Sequence, residues 1–340
     1  MSYHEILALA ATLSKEEQHQ LIPSLSHLGQ EETGSLRRRC TALINRQSSC
    51  PHCGGKHCLR CGKARGAQRF KCRDCNRTFT EHTGTRLDGI HKKSLAEPHV
   101  SLLTGEYSLD KMKEKLHINK KTAFDWRHKI LSSCEQNTGN EFEGVAESDE
   151  TFFDHSQKGS RHLRRPPRKR GNAPKQGGIS TDKAAAIVSG DRSKSLKMTV
   201  GTMGRVTKSD IRESFQHPLP KESILCSDGQ VGYRGYSMDN NLKHIVLRAD
   251  LKQYVKKGGY PVQHVNGLHN RLKKWIAGSF RGVSTKYLQN YLNWFYMREK
   301  FKHERMTTEK MALASIHDTH AIKQYRCNNF ACEVIMATQM

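Results

Sequence analysis

Val145-Ala-Glu-Ser-Asp-Glu-Thr-Phe-Phe153 reads as a β-strand with Asp149 inside it and apolar residues flanking it at both ends. A carboxylate there is costly to bury unless a metal ion or another cation compensates it. A second acid closes the run Ser223-Ile-Leu-Cys-Ser-Asp228 and is followed by Gly229, the pattern of a strand end opening into a loop and helix. Asp149 and Asp228 both suit the rim of one sheet. Clustered oxygen ligands at such a rim are what metal-dependent phosphoryl transfer needs: one carboxylate shared by two ions, and others that fix each ion singly.

A third ligand is expected from the helix that begins near Gln263. It reads His264-Val-Asn-Gly-Leu-His-Asn-Arg-Leu-Lys-Lys-Trp275 and contains no acid, so Asn266 or His269 must stand in. Asn266 and Lys273 lie about two helical turns apart and share a face, so an amide oxygen can meet a metal while the lysine meets a phosphate. The bland readings are an acid paired with arginine, a helix-capping Asn266 and a solvated histidine.

Around these residues short apolar runs alternate with helical ones. Strands are expected at 145–153, 184–188, 196–200, 224–226 and 245–247, and helices near 208–215, 230–239, 264–277 and 284–299, which predicts a mixed α/β domain over 139–302. Between the first two strands, Arg161-His-Leu-Arg-Arg-Pro-Pro-Arg-Lys-Arg170 carries six Lys or Arg and two prolines, an exposed loop that offers Arg164, Arg165, Arg168, Lys169 and Arg170 to DNA.

Upstream, three C-x-x-C pairs fall between Cys50 and Cys75. Two knuckles grip one zinc ion in a tetrahedron. Cys50, Cys53, Cys72 and Cys75 are preferred over sets using Cys58 and Cys61, which lie where the intervening strand should run; a redox cluster is the alternative. Four thiolates leave no open position, so the zinc is structural, in a ribbon over 49–82. From Ser108 to Leu131 the apolar spacing marks two helices broken around His117–Lys120, which fits a helix-turn-helix within 83–138. That pair would place Lys120, Lys121 and Arg127 at backbone phosphates; a plain helical hairpin is the competing reading. Residues 1–48 read as a helical segment and 303–340 as a tail.

The 57 Lys plus Arg against 33 Asp plus Glu give a formal charge of +24 in 340 residues, and the basic residues fall in runs. A polyanionic partner, nucleic acid, is the natural reading, with salt-dependent binding. No apolar run is long enough for a membrane span and no signal peptide is indicated, so a cytoplasmic, nucleoid-associated protein without membrane partners is expected.

Taken together these motifs resemble bacterial insertion-sequence transposases of the fifteen-ninety-five group, with their ISXO-two-like catalytic domain. Cys50-Pro-His-Cys-Gly54 with Arg69-Phe-Lys-Cys-Arg-Asp-Cys75 is similar to the family's zinc ribbon. Glu147–Phe153, Ser227–Tyr233 and Val265–Lys273 are similar to its three catalytic motifs, followed by Phe280–Leu288 and Tyr291–Phe295. The resemblance implies an RNase H-like fold and a DDE-type site in its Asp-Asp-Asn form: Asp149, Asp228 and Asn266 on Mg or Mn ions, with Lys273. It selects Asn266 over His269, because in the family the third ligand precedes a lysine by seven residues. It also implies double-stranded transposon-end and target DNA as substrate, bound by a homo-oligomer assembled on the DNA. Asn in place of the commoner Glu supplies less Coulomb attraction, for which Glu150 is the candidate compensation. A catalytically inactive zinc-ribbon DNA-binding regulator is therefore the second reading, and a structure-selective nuclease the third.

Overall fold

The protein was analysed as a computed structural model that describes residues 49–80, 82–132, 142–160, 162–163, 179–193, 195–215, 218–247, 255–256, 260–261 and 263–300. The 1–48 segment, the 303–340 tail and Arg164, Arg165, Arg168, Lys169 and Arg170 lie outside the described residues. The chain divides into two compact units near Lys93 and Ser94.

In the first unit, β1 (Cys58–Ala64), β2 (Ala67–Cys72) and β3 (Thr78–Thr80) form an antiparallel sheet. Among the described residues, Cys50, Phe70, Cys72 and Phe79 make a small buried cluster on this sheet, with the Phe70 and Phe79 rings stacked at 5.5 Å. A cluster of that size contributes little by burial alone, and a cross-link of another kind would add to it.

The second unit opens with three helices, α1 (Ala96–Thr104), α2 (Leu109–Leu116) and α3 (Lys120–Leu131). The break expected around His117–Lys120 is present. His117 ends α2 in the left-handed region, and the Asn119 side chain then accepts from the Lys121 backbone N–H to start α3.

The sheet of this unit contains β4 (Val145–Asp154), β5 (Lys183–Asp191), β6 (Leu196–Met203), β7 (Ile224–Ser227) and β8 (Lys243–Val246), with α4 (Lys208–Phe215) and α5 (Val231–Asp239) in the intervals. The strand order is β6-β5-β4-β7-β8; β4, β5 and β6 run antiparallel, and β7 and β8 join parallel to β4. Side chains alternate faces along β4. Ala146 joins Ile187, Ile211, Phe215, Leu225, Tyr233 and Tyr236 in the core beneath α4 and α5. The opposite face, carrying Glu147 and Asp149, meets α6 (Gln263–Trp275), which follows a two-residue pairing of β9 (Val255–Lys256) with β10 (Tyr260–Pro261). After α6, Ile276–Phe280 adds a π-helical stretch and α7 (Leu288–Lys300) ends the described chain. α7 guards the edge strand: the Gln289 side chain accepts from Val200 N at 2.8 Å and donates to Met198 O at 3.0 Å. The mixed α/β architecture expected from the alternating runs is thus observed.

The structure corrects the expectation for Arg127. It is only 3% exposed. Its guanidinium donates to Tyr107 O at 2.9 Å and lies 5.3 Å from the Trp294 ring centroid, so it links α3 to α7 instead of facing a phosphate. Asn290 and Asn293 add donors to His128 O and Leu131 O across the same contact. Lys120 and Lys121 are exposed and pair with Asp110 at 2.8 Å and Asp125 at 2.7 Å. Arg127→Ala should therefore destabilise the fold by about 2–4 kcal/mol, through lost packing and a carbonyl left without its donor, while Lys120→Ala and Lys121→Ala stay within about 0.5 kcal/mol. Urea unfolding of the three variants checks this; a neutral Arg127→Ala would contradict the buried role.

Candidate functional site

Parallel pairing of β4 with β7 builds the site. The register runs Val145 to Ile224, Ala146 to Leu225 and Glu147 to Cys226, and continued by two residues it sets Asp149 level with Asp228. The ladder with β7 stops at Glu147, whereas β4 stays paired with β5 as far as Asp154. β4 therefore outruns β7, and side chains from both of its faces can reach the notch where β7 ends. Asp149, Glu150 and Asp228 present carboxylate oxygens there that all lie within 4.8 Å of one another, a group that could hold a metal ion.

Local structure fixes each member. Asp228 accepts from Gln230 N at 3.0 Å, and Gln230 in turn accepts from Gly232 N at the start of α5. Gly229 is required between them: its φ is +90°, and a Cβ would stand 2.3 Å from the Val246 side chain. Beneath the cluster, Ser148 Oγ lies 2.8 Å from Ser189 Oγ and donates to the buried Tyr233 hydroxyl at 3.3 Å.

The electrostatics follow from burial and crowding. Burial first, and Asp228 second, push the Asp149 carboxyl up to about 7 against the pull of a backbone hydrogen bond and the Lys273 ammonium. Burial, then Asp228 and Asp149, push Glu150 up to about 8, against the Tyr233 hydroxyl. One buried oxygen of Glu150 has no hydrogen-bond partner. Like charges held this close disfavour ionisation, and a divalent cation would reverse the penalty.

The helix α6 is docked by Glu147, which is 4% exposed and accepts from Val265 N in the first turn at 3.4 Å. One turn further, His269 Nδ1 stands 3.8 Å from Asp149 Oδ2. Two residues of strand span about 6.6 Å and four of helix about 6 Å, so the two contacts match in pitch. His269 is 7% exposed, its Nε2 has no hydrogen-bond partner, and burial brings its pKa down to about 4, which leaves a neutral imidazole. Asn266 and Lys273 are exposed on the same helix. Spacings of three and four residues place both on the stripe of His269, and Lys273 acts electrostatically on Asp149. The structure thus brings Asp149 and Asp228 together, puts His269 beside Asp149, and leaves Asn266 and Lys273 exposed on the stripe of α6 that carries His269.

Reasoning from sequence missed the parts of Glu147 and Tyr233. It named Glu150 only as compensation for a neutral Asn266, and the reach of Glu150 toward Asp228 depends on where β7 ends.

In the first unit, Cys50, Cys53, Cys72 and Cys75 converge as a group that could hold a metal ion. The Cys50–Cys75 and Cys53–Cys72 sulfur separations are both 3.7 Å. A tetrahedron with ligand bonds of about 2.3 Å has edges of about 3.8 Å. Gly55 leaves room for the second knuckle, since a Cβ there would fall 2.0 Å from the Asp74 carboxylate. Cys58 sits opposite Cys72 in the β1–β2 ladder and donates to Gly55 O, and Cys61 is met by Arg69, so neither joins the four.

The second unit is a mixed α/β domain with a carboxylate cluster at adjoining strand ends. Residues 141–300 match the ISXO2-like transposase domain. A Halobacterium salinarum protein described as "Uncharacterized protein in transposable element ISH50" is 27% identical over 258 residues, spanning 74% of this chain and 85% of the relative. The solved structure titled "Crystal structure of a pre-cleavage Mos1 transpososome" aligns with 65% of this chain and 79% of that chain at 12% identity, with a TM-score of 0.23, a likeness too slight to add to the topology.

The raised carboxyl pKa values carry a pH consequence for the chelated protein. A carboxyl raised on folding contributes stability that is full below its unfolded pKa near 4 and lost as pH climbs through 7 to 8. Asp149→Asn removes one such group, so in EDTA it should gain on the order of 1–2 kcal/mol over the parent at pH 8.5 and little at pH 5. Paired thermal melts at the two pH values test this, and an equal effect at both would refute the crowded-carboxylate reading.

Proposed function

We propose that the chain is a DNA transposase that cleaves transposon ends and joins them to target DNA through an Asp-Asp-Asn site. The observation that carries this reading is the register that levels Asp149 with Asp228 inside a transposase-family domain. The strand order supports an RNase H-like fold: three antiparallel strands, then two parallel ones added on the other side of the first.

Asp149 would be shared by two Mg or Mn ions, with Asp228 and Asn266 each holding one. Bound there, the ions would neutralise phosphate charge and activate the attacking water or 3′-hydroxyl. Asp149 and Glu150, whose carboxyls are raised by burial and by their neighbours, would give up their protons on binding them. Lys273, on the stripe that faces Asp149, would hold a non-bridging phosphate oxygen. Asn266 shares that stripe, which supports its amide oxygen as the ligand from α6; His269 closes the floor beneath it. The charge of +24 supports double-stranded DNA as partner. Lys120, Lys121 and the basic loop with Arg164, Arg165, Arg168, Lys169 and Arg170 are candidate phosphate contacts, and pairing of two ends calls for a homo-oligomer on the DNA. Cys50, Cys53, Cys72 and Cys75 would hold structural zinc, supported by sulfur spacings that match a tetrahedral edge. The helices α2 and α3, joined by three residues, are the candidate helix-turn-helix, and the proposed divisions are 1–48, 49–82, 83–138, 139–302 and 303–340.

Asp149→Asn and Asp228→Asn should each lower metal-dependent nicking of transposon-end DNA by about 10³-fold or more, and Lys273→Ala by about 10- to 100-fold, with DNA binding retained. Normal nicking by either aspartate variant would sink the site assignment. A parent protein that binds the ends yet releases no 3′-hydroxyl in Mg or Mn would identify a regulator instead.

Zinc removal gives an independent check. A strong chelator, or Cys72→Ser, should unfold the 49–80 module and abolish one equivalent of bound zinc, whereas Cys61→Ser should retain it. Full zinc content in Cys72→Ser would exclude the outer four as ligands.

A further inference from the structure

A cavity of about 820 Å³ opens among α2, α3, residues 158–160 and the turn at 279–287 of the second unit, and none of the clustered carboxylates lines it. Its size falls within the range of built small-molecule sites. Half-buried Phe124, Phe280 and Tyr287 and the buried Tyr291 form its apolar wall: Phe124 meets Tyr287 edge to face at 5.3 Å, and Phe280 meets Tyr291 at 4.8 Å. Each ring is braced by another, so the wall is set before anything binds, which lowers the entropic cost of binding.

The charge of the lining is as informative as its rings. Lys158 Nζ donates to Phe280 O at 2.7 Å and Gly282 O at 2.8 Å, Lys286 Nζ lies 5.4 Å from the Tyr287 ring centroid, and Arg127 donates to Tyr107 O. These partners are carbonyls and rings, not carboxylates. The two acids of the lining are already engaged, Asp110 by Lys120 and Glu106 by Arg298. The cavity therefore presents aromatic walls with positive charge that no acid in the lining neutralises. Its complement is a flat, apolar group joined to an anion, which is the chemistry of a nucleotide. A base paired within a duplex cannot enter such a recess; one that has left the stack can.

We propose that this cavity takes a single unstacked nucleotide of the bound DNA, with its base among Phe124, Phe280 and Tyr287 and its phosphate toward Lys158 and Lys286. This rests on the DNA reading above and adds a subsite to it. It makes a nucleotide displaced from the helix part of how the protein recognises its substrate.

The test compares the full-length protein's affinity for two duplexes that differ at one position: fully paired, or carrying 2-aminopurine opposite an abasic site. The parent should bind the second at least 10-fold more tightly, with a change in 2-aminopurine fluorescence. Lys286→Ala, at an exposed position, and Tyr287→Leu should each erase most of that preference while leaving affinity for the paired duplex within 2-fold. Equal affinity of the parent for both duplexes, or a preference that survives both substitutions, overturns the proposal and leaves DNA binding standing. Failure to bind either duplex overturns the DNA reading as well. Free dAMP provides the last arm: binding of dAMP that depends on Lys286, without preference for the unpaired duplex, would assign the cavity to a free nucleotide and overturn the proposal.

Discussion

Two parallel strands held in one register force carboxylates together, and much of the second unit is arranged around that constraint. At about 4 Å, two unit charges repel by roughly 1 kcal/mol in water and by about 4 kcal/mol where the effective dielectric is near 20. In the cluster of Asp149, Glu150 and Asp228, burial first and this repulsion second lift the Asp149 and Glu150 carboxyls to about 7 and 8. Such an arrangement is unfavourable for an apoprotein and favourable for a protein that binds cations. The surroundings hold it in place: Ser148 bonds Ser189 and Tyr233 below, and Gly229 takes a positive φ beside Val246 where a Cβ would clash.

The same strand also positions the helix that closes the site. Glu147 and Asp149 point to one face, and the first receives the N-terminal turn of α6 while the second faces His269. Helix dipole and carboxylate favour each other at that terminus. The contact sets the rotation of α6, and with it the stripe that carries Asn266, His269 and Lys273. A helix without a single acid thus sets the His269 imidazole beside Asp149, at a place already crowded with negative charge.

Much of this was legible in the sequence, and the exceptions have physical causes. The strand holding Asp149, the strand end at Asp228 and the break at His117 were readable because apolar alternation and capping residues are local signals. The four converging cysteines were readable from spacing, while the thiols of the inner pair turn elsewhere, Cys58 to Gly55 O and Cys61 toward Arg69. Arg127 was misread because composition reports a basic residue and not the ring of Trp294, which lies far along the chain. The part of Glu150 was hidden for a similar reason. Neighbours in a strand face opposite ways, and only the early end of β7 lets both Asp149 and Glu150 reach Asp228.

The central claim is that β4 and β7 build a divalent-cation site, and locating the ion tests it most directly. Crystals grown with Mn²⁺ and measured at the manganese absorption edge should show an anomalous peak coordinated by Asp149 and Asp228, and crystals of Asp149→Asn should lack it. An ordered, well-diffracting crystal at saturating Mn²⁺ with no peak between those carboxylates would contradict the account.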